Sequence, residues 1–588
     1  MNSQLGGVTC GEREAQPAAA SGSGRGATGW CDRLSGSPRL IVVVLTLAAL
    51  LRLINLGGRR LWYDEAFAVL YAEKSLSTML YGTLAPVNGA AADVHPLLYY
   101  TLLHAWMQVV GQSPVAVRGL SVLLGVATVA LVYRLGCELF DRRTGLAAAL
   151  ITAAAPFAVY YSQETRMYAL LGCAALAAAF CFVRAWSRGG WRWWFAFGLC
   201  GALTLYAHNL GFAFLLGLDV WVPYVWIRHR CERWRNLLPL FLSHLMMLVL
   251  FAPWLLVLPG QLGKIEQAYW VPQPGMAQLI QTVLVFHVAY DNQAVPGWLV
   301  APGLFFSVLT MVLAAMQLRR MPPSPAAERR GVRSPVALLV ALSVAPVLIV
   351  FGISQLRPVY IIRALLPSAL AYYGLLAAVL VGGRLPRALT WGVILPVTLI
   401  VTASLSNHYT YAYFPRPPFD EAAAFLRSQH APGDTIVHSN KLTFFPTHYY
   451  ARELPQAFIA DTPASPSDTL AYPTQVALGL FATPDLEEAT RGYERVWFVM
   501  LQRAVDEYRA AGHADHPHRI WLEQHFHLVS VTTFNDLAVY EYRAGPAPAA
   551  TGRPSQRGRG APPDRATVEV TRAVGAHLRP AVAGGAWQ

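Results

Sequence analysis

Long apolar runs recur from Leu40 to Leu405, separated by short turns in which arginine collects. Most approach the ~20 residues that a helix needs to cross a bilayer. In lipid only a helix or a closed barrel satisfies its own backbone. Repeated runs of this length therefore dictate a bundle of membrane helices. Composition agrees: 55% of the 588 residues are hydrophobic and 13% are charged, which excludes an ordinary water-soluble protein. Spans are expected at Leu40–Leu56, Val115–Cys137, Leu146–Tyr161, Tyr168–Phe182, Trp193–Tyr206, Leu210–Ile227, Leu237–Leu258, Gly297–Leu318, Val336–Phe351, Tyr360–Val381 and Leu389–Leu405. The expected fold class is a polytopic α-helical membrane protein with about eleven transmembrane helices.

Pro96–Val110 is also apolar. At 1.5 Å per residue it reaches only ~22 Å, short of a ~30 Å core. Read as a helix lying at the outer interface, it keeps the arginine-rich turns on the inside. The inside turns then carry Arg134, Arg142 and Arg143; Arg184, Arg188 and Arg192; and Arg228, Arg230, Arg233 and Arg235. Further along come Arg319, Arg320, Arg329, Arg330 and Arg333, then Arg384 and Arg387. This is the positive-inside bias. The net charge of +13 is read as orientation in the cell (inner) membrane, with no nucleic-acid partner. An odd span count with the N-terminus cytoplasmic puts the C-terminal region outside.

Four parts are expected. Residues 1–39 are a Gly/Ala/Ser-rich leader, disordered and cytoplasmic. Residues 40–405 are the membrane domain, with a first outside loop at 57–114 and a second from Pro259 to Pro296. Residues 406–543 form a small extracytoplasmic α/β C-terminal domain: Phe419–Gln429 looks helical, while Asp434–His438, Arg495–Met500 and Leu528–Val531 look like strands. Residues 544–588 are Pro/Gly/Ala/Arg-rich and expected to be disordered. No cysteine falls in the expected outside regions, so no disulfide framework is expected there.

Polar groups gather on the expected outer face. Asp64 and Glu65 open the first loop, and Asp93-Val94-His95-Pro96 closes it. Ser162-Gln163-Glu164-Thr165-Arg166-Met167-Tyr168 turns between the third and fourth spans, and Tyr206-Ala207-His208-Asn209 between the fifth and sixth. Charges at a membrane boundary are costly unless solvated or used. Each has a structural alternative. Asp64 could cap a helix Glu65–Ser75. Glu164 and Arg166 could form a local ion pair. His95 and His208 could sit at helix ends. The joint placement is the signal. Arg357, Tyr360 and Arg363 flank the tenth span on the outside, where basic residues run against the positive-inside bias; guanidinium groups there suit a lipid phosphate or snorkel to ordinary lipid. Arg52, inside the first run, is open to either a structural or a functional reading.

Trp62-Tyr63-Asp64-Glu65, His95-Pro96-Leu97-Leu98-Tyr99 and Tyr161-Ser162-Gln163-Glu164-Thr165-Arg166-Met167-Tyr168 occur in this order. The ordered set resembles the bacterial GT-C membrane glycosyltransferases, relatives of the protein O-mannosyltransferases and lipid A aminoarabinose transferases. Tyr206-Ala207-His208-Asn209 and the stretch Arg357 to Arg363 resemble the group too. The resemblance implies transfer of a sugar from a polyprenyl-phosphate donor in the bilayer to an extracytoplasmic acceptor. It implies catalytic roles for Asp64 and Glu164, and substrate contacts for Glu65, His95, Arg166, Tyr168, His208, Arg357, Tyr360 and Arg363. Some relatives hold a divalent metal, for which Glu65, His95 and His208 are the candidates here. His95-Pro96-Leu97 departs from the His-Pro-Pro of mannosyltransferases at Leu97.

The mechanism expected is inverting, with Asp64 as general base and Arg363 facing the leaving phosphate. Two other classes fit parts of the pattern. A transporter or lipid flippase would use the span count and Arg52, with its site near the midplane. A non-catalytic scaffold would use only the outside domain.

Overall fold

The computed structural model describes residues 39–229, 233–267, 270–288, 297–318, 334–382, 386–463 and 465–545. Nearly all of the expected leader and tail, and the basic turn from Arg319 to Arg333, lie outside these residues. The chain is a multi-pass membrane protein. Among the described residues, seven helices are long and apolar enough to span: Pro114–Leu139, Tyr168–Arg188, Leu237–Leu255, Gly297–Met316, Pro335–Ser354, Ile362–Gly382 and Ala388–Thr410. An eighth forms if Arg142–Ala154 and Pro156–Ser162, bent by 63°, count as one. The other three expected spans are the helices Arg39–Leu53, Trp191–Ala207 and Gly211–His229. They account for the difference from eleven: their apolar stretches fall below the length of a full span.

The 63° bend explains Arg52. Pro156 has no N–H, so the carbonyl of Thr152 loses its helical donor, and the turn around Ala155 becomes extended. Arg52 Nη1 donates to Ala153 O (3.0 Å) and Nη2 to Thr152 O (3.4 Å). Its Nε donates to Ser162 Oγ at 3.0 Å. A buried guanidinium thus satisfies backbone freed by the proline, which is how irregular helix is tolerated at membrane depth. This reading is structural.

Pro96–Val110 contains a 13-residue helix, Leu98–Val110. Gly111, at φ 83°, ends it. Ser113 then caps the next span through its Oγ, with Pro114 in the first turn. The second outside loop holds two further helices, Leu258–Gln267 and Met276–Val288.

Two short strands, β1 (Pro86–Val87) and β2 (Ala90–Ala91), form a hairpin in the first outside loop. The C-terminal part is a five-stranded sheet of order β4-β3-β5-β7-β6. Its strands are β3 (Asp434–His438), β4 (Gln456–Phe458), β5 (Arg495–Leu501), β6 (His527–Phe534) and β7 (Leu537–Arg543). β3 runs parallel to β4 and β5, whereas β5, β7 and β6 are antiparallel. The helix Phe419–Gln429 carries Asp420 and Glu421 in its first turn, where they favour the helix dipole.

This unit packs tightly on the membrane half. Phe444, Phe445 and Phe458 join the same apolar core as Phe67, Tyr71 and Tyr100. Gly82 permits the contact: a Cβ there would lie 2.6 Å from Ala477 Cβ and 2.7 Å from the Tyr71 hydroxyl. The close approach lets Thr474 Oγ1 donate to Gly82 O at 2.8 Å.

Candidate active site

The helix Tyr63–Ala72 begins after Trp62, which holds an extended N-cap conformation without a side-chain cap bond. Asp64 lies inside the first turn, so capping does not account for it. Successive helical positions point about 100° apart, and Asp64 and Glu65 therefore face different surroundings. The Asp64 side chain keeps 15% of its surface exposed, and that of Glu65 keeps none.

Glu65 is the buried anchor. Its carboxylate accepts from Arg118 Nε (2.8 Å) and Nη2 (2.7 Å), from Arg416 Nη1 (2.6 Å) and from the Thr165 amide (2.9 Å). Burial alone would raise its pKa, yet the two guanidiniums hold it well below the usual carboxylate range.

Asp64 faces the cluster the sequence pointed to. Its Oδ2 accepts from Arg363 Nη1 at 3.2 Å and lies 3.8 Å from Arg166 Nε. Arg166 Nη1 donates to the Tyr100 hydroxyl at 3.1 Å. Arg363 packs against the rings of Tyr168 (5.3 Å) and Trp270 (5.2 Å), which fixes its plane. Both Arg166 Nε and Arg363 Nε are buried and have no hydrogen-bond partner among the described residues. Buried donors are normally satisfied, so these two invite a ligand acceptor.

His95 and His208 form the adjoining wall, rings at 84° with centroids 6.4 Å apart. His95 Nδ1 lies 2.8 Å from Asp93 Oδ1. That carboxylate also accepts from the Val94 and His95 amides. Asn209 and Gln261 pin the segment by donating to Val94 O and Asp93 O. His208 follows the helix Trp191–Ala207 and accepts the Leu210 amide at Nδ1 (3.1 Å). Burial, with His95, Arg363 and Arg166 nearby, lowers its pKa to about 3. The ring is therefore neutral, with its proton on Nε2.

Other expected residues stand apart. Glu164 is fully buried; its Oε1 accepts from Trp62 Nε1 at 2.9 Å and its Oε2 has no hydrogen-bond partner among the described residues. Burial pushes its carboxyl up to about 7; Arg416 opposes this and Glu65 adds to it. Arg357 pairs with Glu266 at the surface, and the Tyr360 hydroxyl meets Thr282 Oγ1 at 2.8 Å. Glu65, expected at the substrate, lies behind the Asp64 cluster, engaged by Arg118 and Arg416. The three candidate metal ligands do not converge, and among the described residues no group of three His, Cys, Asp or Glu could hold a metal ion. Arg118, Arg416, Tyr100 and Trp270 were not singled out from sequence. For Arg416 a signal existed: like Arg363, it is a basic residue on the expected outer side.

The raised Glu164 pKa has a measurable consequence. The folded value lies above the unfolded 4.5, so the folded chain holds this proton more tightly. That stabilisation is full below about pH 4.5 and is lost as pH rises through about 7. Relative to Glu164→Gln, the wild-type chain should lose on the order of 1–3 kcal/mol between pH 5 and 8. Thermal midpoints in detergent would read this; parallel curves for the two proteins would contradict it.

Residues 94–257 match the family model described as dolichyl-phosphate-mannose-protein mannosyltransferase. ArnT from Cupriavidus metallidurans, bound to undecaprenyl phosphate, superposes with a TM-score of 0.55 at 15% identity, covering 90% of this chain and 100% of that one. By fold, this chain is similar to the GT-C membrane glycosyltransferases. The apo form of the same ArnT gives a TM-score of 0.54 at 15% identity, over 88% of this chain and 98% of that one. No curated protein sequence matches the chain. Within the GT-C fold, the matched segment holds His95, Glu164, Arg166, Tyr168 and His208, while Asp64 and Arg363 flank it in sequence.

Proposed function

We propose that this GT-C protein is an enzyme that transfers a sugar from a polyprenyl-phosphate donor to an extracytoplasmic hydroxyl or amine. The observation that carries the reading is the pairing of two buried arginines with Asp64, each with an unsatisfied Nε. Arginine suits phosphate by paired N–H donors. The undecaprenyl phosphate bound to ArnT supports a lipid phosphate as the ligand.

In the proposed reaction, a lone pair of the acceptor attacks the anomeric carbon opposite the phosphate. The bond from that carbon to the phosphate oxygen breaks, polyprenyl phosphate leaves, and the anomeric centre inverts. Asp64 takes the acceptor proton through the carboxylate oxygen not held by Arg363. Arg363 and Arg166 stabilise the charge on the departing phosphate. His95, oriented by Asp93, and His208, with Nε2–H as donor, orient sugar or acceptor hydroxyls. Glu164 acts from behind the site through Trp62 and Arg416. The positive-inside arrangement of the arginine-rich turns supports a cell-membrane protein with a cytoplasmic N-terminus and the sheet domain outside.

A transporter would hold its ligand near the bilayer midplane. Here the polar cluster sits in turns and helix ends: Asp64 in a first turn, Arg166 between two helices, His208 after a third.

Native mass spectrometry of purified protein tests the donor class. Polyprenyl phosphate should bind the wild-type chain, and Arg363→Ala should weaken it about tenfold or more, since a charged hydrogen bond contributes ~1.5–3 kcal/mol. Equal affinity for both proteins would remove Arg363 from the phosphate site.

A further inference from the structure

The stretch Tyr411 to Pro418 joins the last span to the sheet domain. It is clamped at its start by the β6–β7 turn: Asn535 Nδ2 donates to Ala412 O (2.6 Å), and Asp536 Oδ2 accepts from the Phe414 amide (2.8 Å). Three prolines, Pro415, Pro417 and Pro418, stiffen it further. Between them Arg416 turns inward, with 1% of its side chain exposed. Its Nη1 donates to Glu65 Oε2 (2.6 Å) and to Arg60 O (2.9 Å). Its Nη2 lies 3.9 Å from Glu164 Oε1. Arg60 makes the reverse crossing, from the first outside loop to Asp420 and Glu421 at 2.7 Å each. Two arginines therefore tie the sheet domain to the stretch that carries Asp64.

We propose that Arg416 is a positioning residue, through which the seat of the sheet domain sets the geometry of the catalytic turn. Glu65 adjoins Asp64 on one helical turn and also accepts the Thr165 amide, beside Arg166. One guanidinium from the linker thus fixes both flanks of the Asp64–Arg166 contact. Arg416 Nη2 and Nε and Glu164 Oε2 have no hydrogen-bond partner among the described residues. Arg416 also faces the Glu164 carboxylate and the Tyr160 ring, 5.8 Å away, while the bond to Glu65 stays intact. The inference rests on the proposed transfer reaction for its kinetic readout, and on the Thr165 amide for a readout independent of it.

The test uses the full chain in detergent with Arg416→Lys, which keeps the charge and loses the second donor branch, and the double variant Asn535→Ala/Asp536→Ala, which removes both side-chain bonds from the β6–β7 turn to the linker without touching the site. Both should lower kcat, Arg416→Lys by ~10- to 100-fold, with donor affinity within twofold of wild type. Both should speed hydrogen exchange at the Thr165 amide. A purely structural role would lower the melting midpoint while leaving kcat per folded molecule unchanged, and that result overturns the proposal. So does wild-type exchange at Thr165 in both variants. Absence of any transfer by the wild-type chain would refute the proposed function instead, and Thr165 exchange would then decide the coupling alone.

Discussion

Asp64→Asn is expected to lower kcat by 10²- to 10⁴-fold, the range a positioned general base contributes. Asparagine has the shape of aspartate and keeps an oxygen for Arg363, now 3.2 Å from Oδ2. It cannot take the acceptor proton. The substitution also removes the negative charge beside Arg166 and Arg363, so both guanidiniums become freer for an anionic lipid. The account therefore predicts a split: turnover collapses while polyprenyl-phosphate affinity holds or rises. Steady-state transfer kinetics and native mass spectrometry read the two halves. A fall in lipid affinity with turnover preserved would contradict both roles assigned to Asp64.

Glu65→Gln is expected to destabilise the fold by about 3–5 kcal/mol, the cost of breaking a buried ion pair from one side. The carboxylate neutralises two buried arginines, Arg118 and Arg416, whose side chains are 0% and 1% exposed. Glutamine leaves Arg118 without its carboxylate partner and Arg416 with only the more distant Glu164, 3.9 Å away. Because the folded pKa lies below the unfolded 4.5, this stabilisation is full above about pH 4.5 and fades as pH falls below it. Wild type and variant should differ most in melting midpoint near neutral pH and converge in acid. A variant that melts with the wild type at pH 7 would show that Glu65 is not the anchor.

The membrane bundle was legible because apolar length is a one-dimensional property. The turn residues Asp64, Arg166, His95 and His208 were legible as a set because they share one side of the bundle. What sequence could not show is direction. Asp64 and Glu65 are adjacent in the chain, but helical geometry sends one toward Arg166 and Arg363 and the other into the core. Glu164, two residues from Arg166, is likewise turned inward to Trp62. Arg118 lies within an expected span, where a charge reads as a cost until its partner is known. Trp270 is 93 residues from Arg363 in sequence, and nothing local links them. In the sheet domain, β7 escaped notice although Asn535-Asp536 between two strands is a turn signal; Asn535 takes φ 55° there. Pro156 signalled the bend, but its complement Arg52 becomes meaningful only once Ala153 O is seen beside it.

The most direct test of a single glycolipid site on the outer face is photocrosslinking with a polyprenyl phosphate that carries a diazirine next to the phosphate. The account predicts label on peptides containing Arg166 to Tyr168 and Trp270 or Arg363, competed by unlabelled lipid. Label concentrated near the middle of the spans, with none on these peptides, would contradict it.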